Sequence, residues 1–366
     1  MIKYRFGLSI KFVICNFILL LYRIIFILAI LLLKLILFIP IFIDKIIFFI
    51  NHYNNYVVFH IFKKYVIIEL SLIEINALEE FVMYKINDFK FDIIFHNDME
   101  IPINMKKFEI NENNSTYQYD LYITDQITIK ETFFQINKSN IKISINNNLE
   151  KRYLFIEGYN QPYGLYDELD NTHACIYVQK DYVHMMNIDT MFISLLALER
   201  RMYQFNHFIL HSSFVLLNGK AILFTAPSGT GKSTQADLWN KYRNTRTING
   251  DRTLIVKEDN TYYACGWPIC GSSEICFNEK YPISCIVVLS QGKENTIVNL
   301  EYKEAFKKLL SEITINYHNS DYVNKSMDFI DDLLKSISIY HLSCTISEDA
   351  VLCLENKLKE DELILF

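Results

Sequence analysis

The sequence lacks an excess of positive charge: its formal net charge is −6 at pH 7. This balance gives no electrostatic case for binding nucleic acid. Glycine and proline are also scarce, at 10 and 6 of 366 residues. We interpret this scarcity as a bias of the overall amino-acid composition and not as a functional feature. Half of the chain is hydrophobic, at 51%. A chain of this length and composition can form two domains with substantial cores.

The eight cysteines form no C-x-x-C pair, a spacing that would indicate a zinc site or a redox motif. Cys265, Cys270 and Cys276 cluster in a loop-like region, but their spacing is not that of a zinc site. Most of the cysteines lie within apolar runs. We therefore predict buried free thiols in a reduced, cytosolic protein.

The stretch APSGTGKST at residues 226–234 has the parts of a phosphate-binding loop. An apolar, β-prone run at 221–225 precedes it, and a predicted helix at 235–242 follows, so the helix N-terminus would face the phosphates. Ala226 stands where the motif usually has its first glycine. Lys232 supplies a cation and Ser233 a hydroxyl for Mg²⁺. The nucleotide-binding positions are Ser228, Gly229, Thr230, Gly231, Lys232, Ser233 and Thr234.

Two further residues are placed near this loop by the predicted topology. The run at 208–217 reaches Asn218-Gly219, a strong signal for a two-residue hairpin. His211 then lies on a strand beside the strand that leads into the loop. Asp251, next to Arg252 in a turn between two strands, is the candidate second support for Mg²⁺; the alternative is a solvated turn residue paired with Arg252.

The pattern of short alternating stretches in residues 83–205 predicts a β-rich module. Its strands are expected at 89–94, 117–124, 126–129 and 141–145, and a helix is expected at 189–205. Its histidines, His96, His173 and His184, are scattered and indicate surface or packing roles. Residues 206–366 are predicted to form a domain of strands and helices, with helices at 302–313 and 322–336. Ser347 is expected to cap a last helix. A small-residue loop containing Gly271, Ser272 and Ser273 is a candidate to close over an acceptor.

These elements together resemble the HPr kinase/phosphorylase C-terminal domain superfamily, whose nucleotide core is similar to that of ATP-dependent phosphoenolpyruvate carboxykinase. The nearest likeness is to HPr-kinase-related proteins found beside bacterial peptide-modification genes. The matching pieces span about residues 208–300: His211-Ser212-Ser213, Asn218-Gly219-Lys220, 226–234, 249–252, Gly271-Ser272-Ser273 and 287–295.

The resemblance implies an α/β fold with a P-loop kinase core, preceded by the β-rich module. It also implies phosphorylation of a seryl hydroxyl on a small protein or peptide by Mg²⁺ and ATP. By position, residues 229–234 hold the phosphates, Ser233 and Asp251 support Mg²⁺, and His211 lies next to the transferred group. Arg252 and the 271–273 loop would meet the substrate. HPr kinases have two adjacent aspartates before the arginine, the first acting as general base, whereas this chain has Gly250 there.

The first 82 residues contain an almost wholly apolar stretch at 12–50. Residues 12–33 are long enough to span a bilayer, and no small-residue cleavage site of a secretory signal follows. One interpretation is an anchor that holds a cytoplasmic catalytic domain at the inner face of the cell membrane. The other is a dispensable extension before a functional start at Met83.

The leading hypothesis is a kinase that transfers the γ-phosphoryl group of ATP to a serine or threonine of a peptide or small protein. The alternatives are a non-catalytic ATP-binding sensor or scaffold at the membrane, and a small-molecule kinase. The sequence indicates neither the identity of the acceptor nor an oligomeric state.

Overall fold

The computed structural model describes residues 80–112 and 114–363. They belong to one compact unit, Glu79–Phe366. The apolar stretch predicted at 12–50 lies outside the described residues. Within the part of the chain that is described, no helix combines the length and apolarity needed to cross a membrane.

The fold is a mixed α/β architecture with two sheets. The first sheet has nine strands in the order β3-β1-β2-β4-β9-β8-β7-β6-β5. Strands β2, β4 and β9 are parallel neighbours, and the other neighbours are antiparallel. The bounds are β1 (Glu80–Ile86), β2 (Phe89–Phe95), β3 (Glu109–Ile110), β4 (Tyr117–Thr124), β5 (Ile136–Asn137), β6 (Ile141–Asn146), β7 (Leu149–Phe155), β8 (Pro162–Glu168) and β9 (His173–Gln179). A short helix, α1 (Ile103–Lys106), follows β2.

The predicted strands at 89–94, 117–124 and 141–145 are confirmed by β2, β4 and β6. The strand predicted at 126–129 is wrong, because these residues form no regular element. Ile127 is nevertheless buried, in a small cluster with Tyr153 and Phe155. The apolar alternation there therefore reflects packing of an irregular segment and not strand pairing.

The single helix predicted at 189–205 is instead two helices, α2 (Asp189–Leu195) and α3 (Leu198–Gln204). Ala197 breaks the run with a left-handed φ of 47°. The apolar side chains of Leu195, Leu198 and Met202 in these helices are fully buried. The helical periodicity of the sequence agrees with the burial of these side chains, but it did not indicate the break at Ala197.

The second sheet follows the order β11-β10-β13-β14-β15-β17-β16, with β12 beside β10. Strand β11 also pairs with β15, so β11, β10, β13, β14 and β15 form a closed circuit. The predicted hairpin at Asn218-Gly219 joins β10 to β11 in antiparallel register. The bounds are β10 (Phe208–Leu217), β11 (Lys220–Thr225), β12 (Arg246–Asn249), β13 (Arg252–Glu258), β14 (Thr261–Cys265), β15 (Lys280–Gln291), β16 (Thr296–Asn299) and β17 (Ser338–Cys344).

Four helices flank this sheet: α4 (Lys232–Arg243), α5 (Tyr302–Glu312), α6 (Ser320–Ser336) and α7 (Glu348–Glu360). Helices α5 and α6 contribute to one buried cluster and α4 and α7 to another. Ser347 occupies the N-cap position of α7, but its side chain makes no capping hydrogen bond. Its hydroxyl instead lies 2.8 Å from the Thr345 hydroxyl, so the predicted side-chain cap is wrong.

A buried ionic network joins the first sheet to α3 and to the segment after α5. Glu150 on β7 accepts from Arg152 Nε at 2.7 Å and Arg200 Nη1 at 2.8 Å, and it lies 3.1 Å from His318 Nε2. Glu199 on α3 accepts from Asn316 Nδ2 at 3.3 Å. A hydrophobic core also contains residues from both sides of the boundary predicted at 205/206. The two sheets are thus tied together next to the C-terminal end of α5.

Candidate active site

The loop at 226–231 connects β11 to the N-terminus of α4, the strand–loop–helix arrangement that the sequence indicates. Gly229 and Gly231 have φ values of 78° and 118°, a region that side-chain-bearing residues rarely adopt. Gly231 is the N-cap of α4, and no side chain caps this helix. The positive end of the helix dipole and its first N–H groups therefore face the loop, which suits an anion.

Lys232 opens α4 and is 7% exposed. Its Nζ donates to the Ala226 carbonyl at 2.9 Å, so the residue in the place of the first motif glycine holds the lysine through its backbone. Burial lowers the pKa of Lys232, and the negative charges of Asp251 and Glu312 partly offset that effect. The ammonium group is consequently close to two carboxylates without a direct ion pair to either.

His211 on β10 lies between two carboxylates. Its Nε2 is 3.3 Å from Asp251 Oδ1, and its Nδ1 is 3.0 Å from Glu312 Oε2. The antiparallel pairing of β10 with β13 sets this geometry, because His211 is opposite Arg252 and Asp251 directly precedes β13. The Thr225 hydroxyl at the end of β11 donates to the His211 carbonyl at 2.9 Å. The structure thus brings together His211, Asp251 and the start of the 226–231 loop.

Asp251 is partly buried and ionised. Burial raises the pKa of this carboxyl, but the hydrogen bond from His211 and the charges of Arg252 and Lys232 outweigh it, so the net pKa is lowered. The turn is fixed by the buried Asn249, whose Oδ1 accepts from the backbone N–H groups of Asp251 and Arg252 at 2.9 Å each. Of the alternative, a solvated turn residue paired with Arg252, the pairing is present, with Arg252 Nε 3.5 Å from Asp251 Oδ2, whereas the Asp251 side chain is only 25% exposed.

The 271–273 turn packs directly on Gly250 and Asp251. A β-carbon on Gly271, whose φ is +59°, would lie 2.9 Å from the Asp251 β-carbon. Ser273 Oγ donates to the Cys270 carbonyl at 2.7 Å and is turned inward. Ser272 is exposed. Of the three residues of this turn that are predicted to contact the substrate, Gly271 leaves room for the Asp251 side chain and Ser272 presents a hydroxyl to solvent.

Arg252 lies beside Asp251, with its Nε 3.5 Å from Asp251 Oδ2. Its Nη1 donates to Thr314 Oγ1 at 3.1 Å, and this links the site to the segment that follows α5. Within the loop and first helical turn, Ser228 and Gly229 are exposed, and Thr230, Ser233 and Thr234 are partly buried. Apart from the buried Lys232, the predicted nucleotide-binding positions are therefore at least partly accessible to solvent.

Glu312 is the residue at this site that sequence reasoning missed. It is the last residue of α5 and is 101 positions from His211. Its side chain is 11% exposed. No local signal marks it, because it ends an ordinary amphipathic helix among other lysines and glutamates. The isolated bridge between Leu210 and Ile313, together with the apolar cluster that β10 shares with α5, brings the end of this helix to β10.

The donor set of the site fits a magnesium nucleotide. The Ser233 hydroxyl and the Asp251 carboxylate are oxygen donors of the kind that Mg²⁺ prefers. Lys232 and the uncapped start of α4 supply positive charge for phosphates. Glu312 and His211 add groups that can take up or hold a proton. Together these residues can support phosphoryl transfer.

A family model described as SynChlorMet cassette protein ScmC matches residues 175–350. The match covers slightly under half of the chain and includes every residue of the site described above. No curated protein matches the chain. Among solved structures, the HPr(Ser) kinase/phosphatase from Coxiella burnetii aligns with 42% of this chain and 98% of its own, at 11% identity and a TM-score of 0.26. At that TM-score the similarity establishes neither a shared fold nor a shared activity.

Proposed function

We propose that this protein is a kinase that transfers the γ-phosphoryl group of ATP to a serine or threonine hydroxyl of a small protein or peptide. The observation that carries the proposal is the convergence of Lys232, Asp251, His211 and Glu312 at the uncapped N-terminus of α4. The resemblance of residues 208–300 to HPr-type kinases supports the choice of acceptor.

Each residue has a role that follows from its charge and position. The loop N–H groups and Lys232 bind and orient the phosphates, and Ser233 with Asp251 would hold the metal. Bound Mg²⁺ and ATP supply the transferable phosphoryl group and neutralise part of its charge. Arg252 adds a fixed cation next to Asp251. Because phosphoryl transfer depends mainly on positioning and charge neutralisation, these residues account for most of the expected rate.

The acceptor proton needs a base that Gly250 cannot provide. We assign that role to the His211–Glu312 pair, whose facing atoms are 3.0 Å apart. In this role Glu312 would accept from the ring at Nδ1 and orient it. Asp251 would turn from His211 Nε2 to the metal, and the freed Nε2 would take up the acceptor proton. Asp251 serving both roles is the alternative, and the effect of replacing Glu312 separates the two.

The proposal is tested with γ-labelled ATP and an array of short serine- and threonine-containing peptides. Wild-type protein should label a subset of the peptides, and Lys232→Ala and Asp251→Asn should abolish labelling. Lys241→Ala, which removes an exposed lysine from the same helix, is the matched control and should label normally. Labelling that persists in both site variants would refute the proposal. Tight ATP binding without labelling of any acceptor would favour a nucleotide sensor or scaffold.

A further inference from the structure

The outer face of the first sheet carries a second polar cluster, well separated in sequence from the phosphate loop. Asp120 lies on β4, and His173 and Cys175 lie on the neighbouring parallel strand β9. The register places Asp120 directly beside Cys175. Since side chains two residues apart share a face of a strand, His173 is on the same side as Cys175.

These three side chains offer ligand atoms that converge. The candidate atoms of Asp120, His173 and Cys175 all lie within 4.8 Å of one another. Asp120 Oδ2 is hydrogen-bonded to His173 Nε2 and accepts from Gln118 Nε2 at 3.2 Å. Two ligands of a tetrahedral zinc ion lie about 3.3–3.8 Å apart, given bonds of about 2.0–2.3 Å, so a spread of 4.8 Å exceeds that spacing by only about 1–1.5 Å. Small side-chain rotations therefore suffice to bring all three onto one ion.

His96 supports the carboxylate from its other side. Its Nε2 is 2.9 Å from Asp120 Oδ1, and its ring stacks on Tyr122 at a centroid distance of 4.2 Å. A histidine held in this way fixes the orientation of the carboxylate and leaves Oδ2 facing His173 and Cys175. Such supporting contacts are typical of metal-ligating carboxylates in proteins.

The burial of the cluster suits an ion that enters from solvent. Asp120 and Cys175 are 7% and 8% exposed, whereas the side chain of His173 is 29% exposed. The ligands lie on paired strands, which hold them in place, and the open side is toward His173. An approach path and a rigid base are thus both present.

We propose that Asp120, His173 and Cys175 form a binding site for a divalent transition metal of the zinc class, with His96 as a positioning residue. The mixed oxygen, nitrogen and sulfur donors select this class, because Mg²⁺ and Ca²⁺ take oxygen ligands. Three protein ligands leave a fourth tetrahedral position for water or an external ligand. The site is independent of the proposed kinase activity.

The test is a titration of the full-length protein with Zn²⁺ against a chromophoric chelator, repeated with Co²⁺ as a spectroscopic probe. We expect one ion whose affinity falls at least 100-fold in Cys175→Ser and in His173→Gln. The His96→Gln variant should lose about 10–100-fold. Cobalt should give a thiolate charge-transfer band that Cys175→Ser abolishes. His184→Gln and Cys353→Ser, which alter residues outside the cluster, are the matched controls and should bind as the wild type does.

Two results would overturn the site. One is zinc affinity that stays within threefold of wild type in both Cys175→Ser and His173→Gln. The other is a cobalt complex of the wild type without a thiolate band. Because Cys175 is buried, the circular dichroism of the metal-free variants is compared with that of wild type. If Cys175→Ser is misfolded, the more exposed His173→Gln decides the outcome.

Discussion

A β-carbon on Gly250 would lie 1.7 Å from Ser273 Oγ. The space that a side chain at position 250 would occupy is therefore filled by an inward-facing serine from the neighbouring turn. Ser273 is held there by its bond to the Cys270 carbonyl and by accepting from Ile275 N at 3.2 Å. Glycine at 250 is thus a packing requirement of this turn, because any side chain there would collide with Ser273.

The first prediction concerns this contact. Gly250→Ala should lower the free energy of unfolding by about 1–3 kcal/mol, because the added methyl group overpacks the turn. Ser273→Gly in the same chain should recover most of the loss, since it removes the two closest atoms that the methyl group meets and leaves only the Cys270 carbonyl oxygen, at 3.2 Å. Ser272→Gly, at the exposed neighbour, is the control and should give no recovery. Urea denaturation measures the free energy of unfolding of Gly250→Ala alone and combined with each glycine substitution. Equal recovery of stability by Ser273→Gly and Ser272→Gly would contradict the contact between position 250 and Ser273.

The second prediction concerns the base. Glu312→Gln should lower kcat by about 10²–10⁴-fold and leave ATP affinity nearly unchanged, because Glu312 acts through His211 and does not reach the phosphate loop directly. Glu304→Gln, at an exposed glutamate of the same helix, is the matched control. Steady-state kinetics of the two variants are compared with wild type. An unchanged kcat in Glu312→Gln would assign the base role to Asp251.

The site could be predicted from the sequence where its signals were local. The phosphate loop, the hairpin at Asn218-Gly219 and the turn holding Asp251 each depend on a few adjacent residues. The strand and helix patterns around these segments therefore predicted their positions in the fold. The antiparallel pairing of β10 with β11 across the hairpin agrees with the prediction. Local turn chemistry and short hydrophobic runs carry enough information for such elements.

The parts that were missed depend on contacts between distant segments. Glu312 reaches His211 across 101 residues, and Asp120 meets His173 across 53. His96 and His173 looked scattered because only the parallel pairing of β2, β4 and β9 brings them together. The break at Ala197 is another case, since tertiary packing of α2 and α3 overrides the continuous helical pattern there.

The third prediction concerns ATP binding. Lys232→Ala should weaken the affinity for Mg²⁺-ATP by about tenfold to hundredfold, which corresponds to the loss of a hydrogen bond to a charged group. Lys241→Ala should leave the affinity unchanged. Isothermal titration calorimetry at constant ionic strength makes the comparison. Equal affinities of the two variants would contradict the assignment of this loop to phosphate binding.

The fourth prediction concerns pH and the buried ionic network. Burial raises the pKa of Glu150, but Arg152, His318 and Arg200 outweigh it and hold the pKa well below its usual range. The unfolded chain, with a glutamate pKa of about 4.3, takes up the proton first. The stability from Glu150 is therefore fully present above about pH 5 and is lost as the pH falls further.

Glu150→Gln tests this network directly. At pH 7 the variant should lose about 1–3 kcal/mol of stability, because Arg152 and Arg200 each lose one of two carboxylate partners and keep Glu199 and Glu168 respectively. Between pH 5 and pH 3 its stability should fall less steeply than that of wild type. Denaturant unfolding at several pH values measures both quantities. Parallel pH profiles for the two proteins would contradict the assigned pKa shift.

The central claim is that ATP is consumed by transfer to a serine or threonine, and the most direct measurement is the stoichiometry of that reaction. ADP and phosphorylated peptide are quantified in the same sample by mass spectrometry, with wild type and Lys232→Ala in parallel. The account predicts one phosphoserine or phosphothreonine per ADP in wild type and neither product in the variant. Bound ATP that yields no ADP, or ADP formed without any phosphorylated residue, would contradict it.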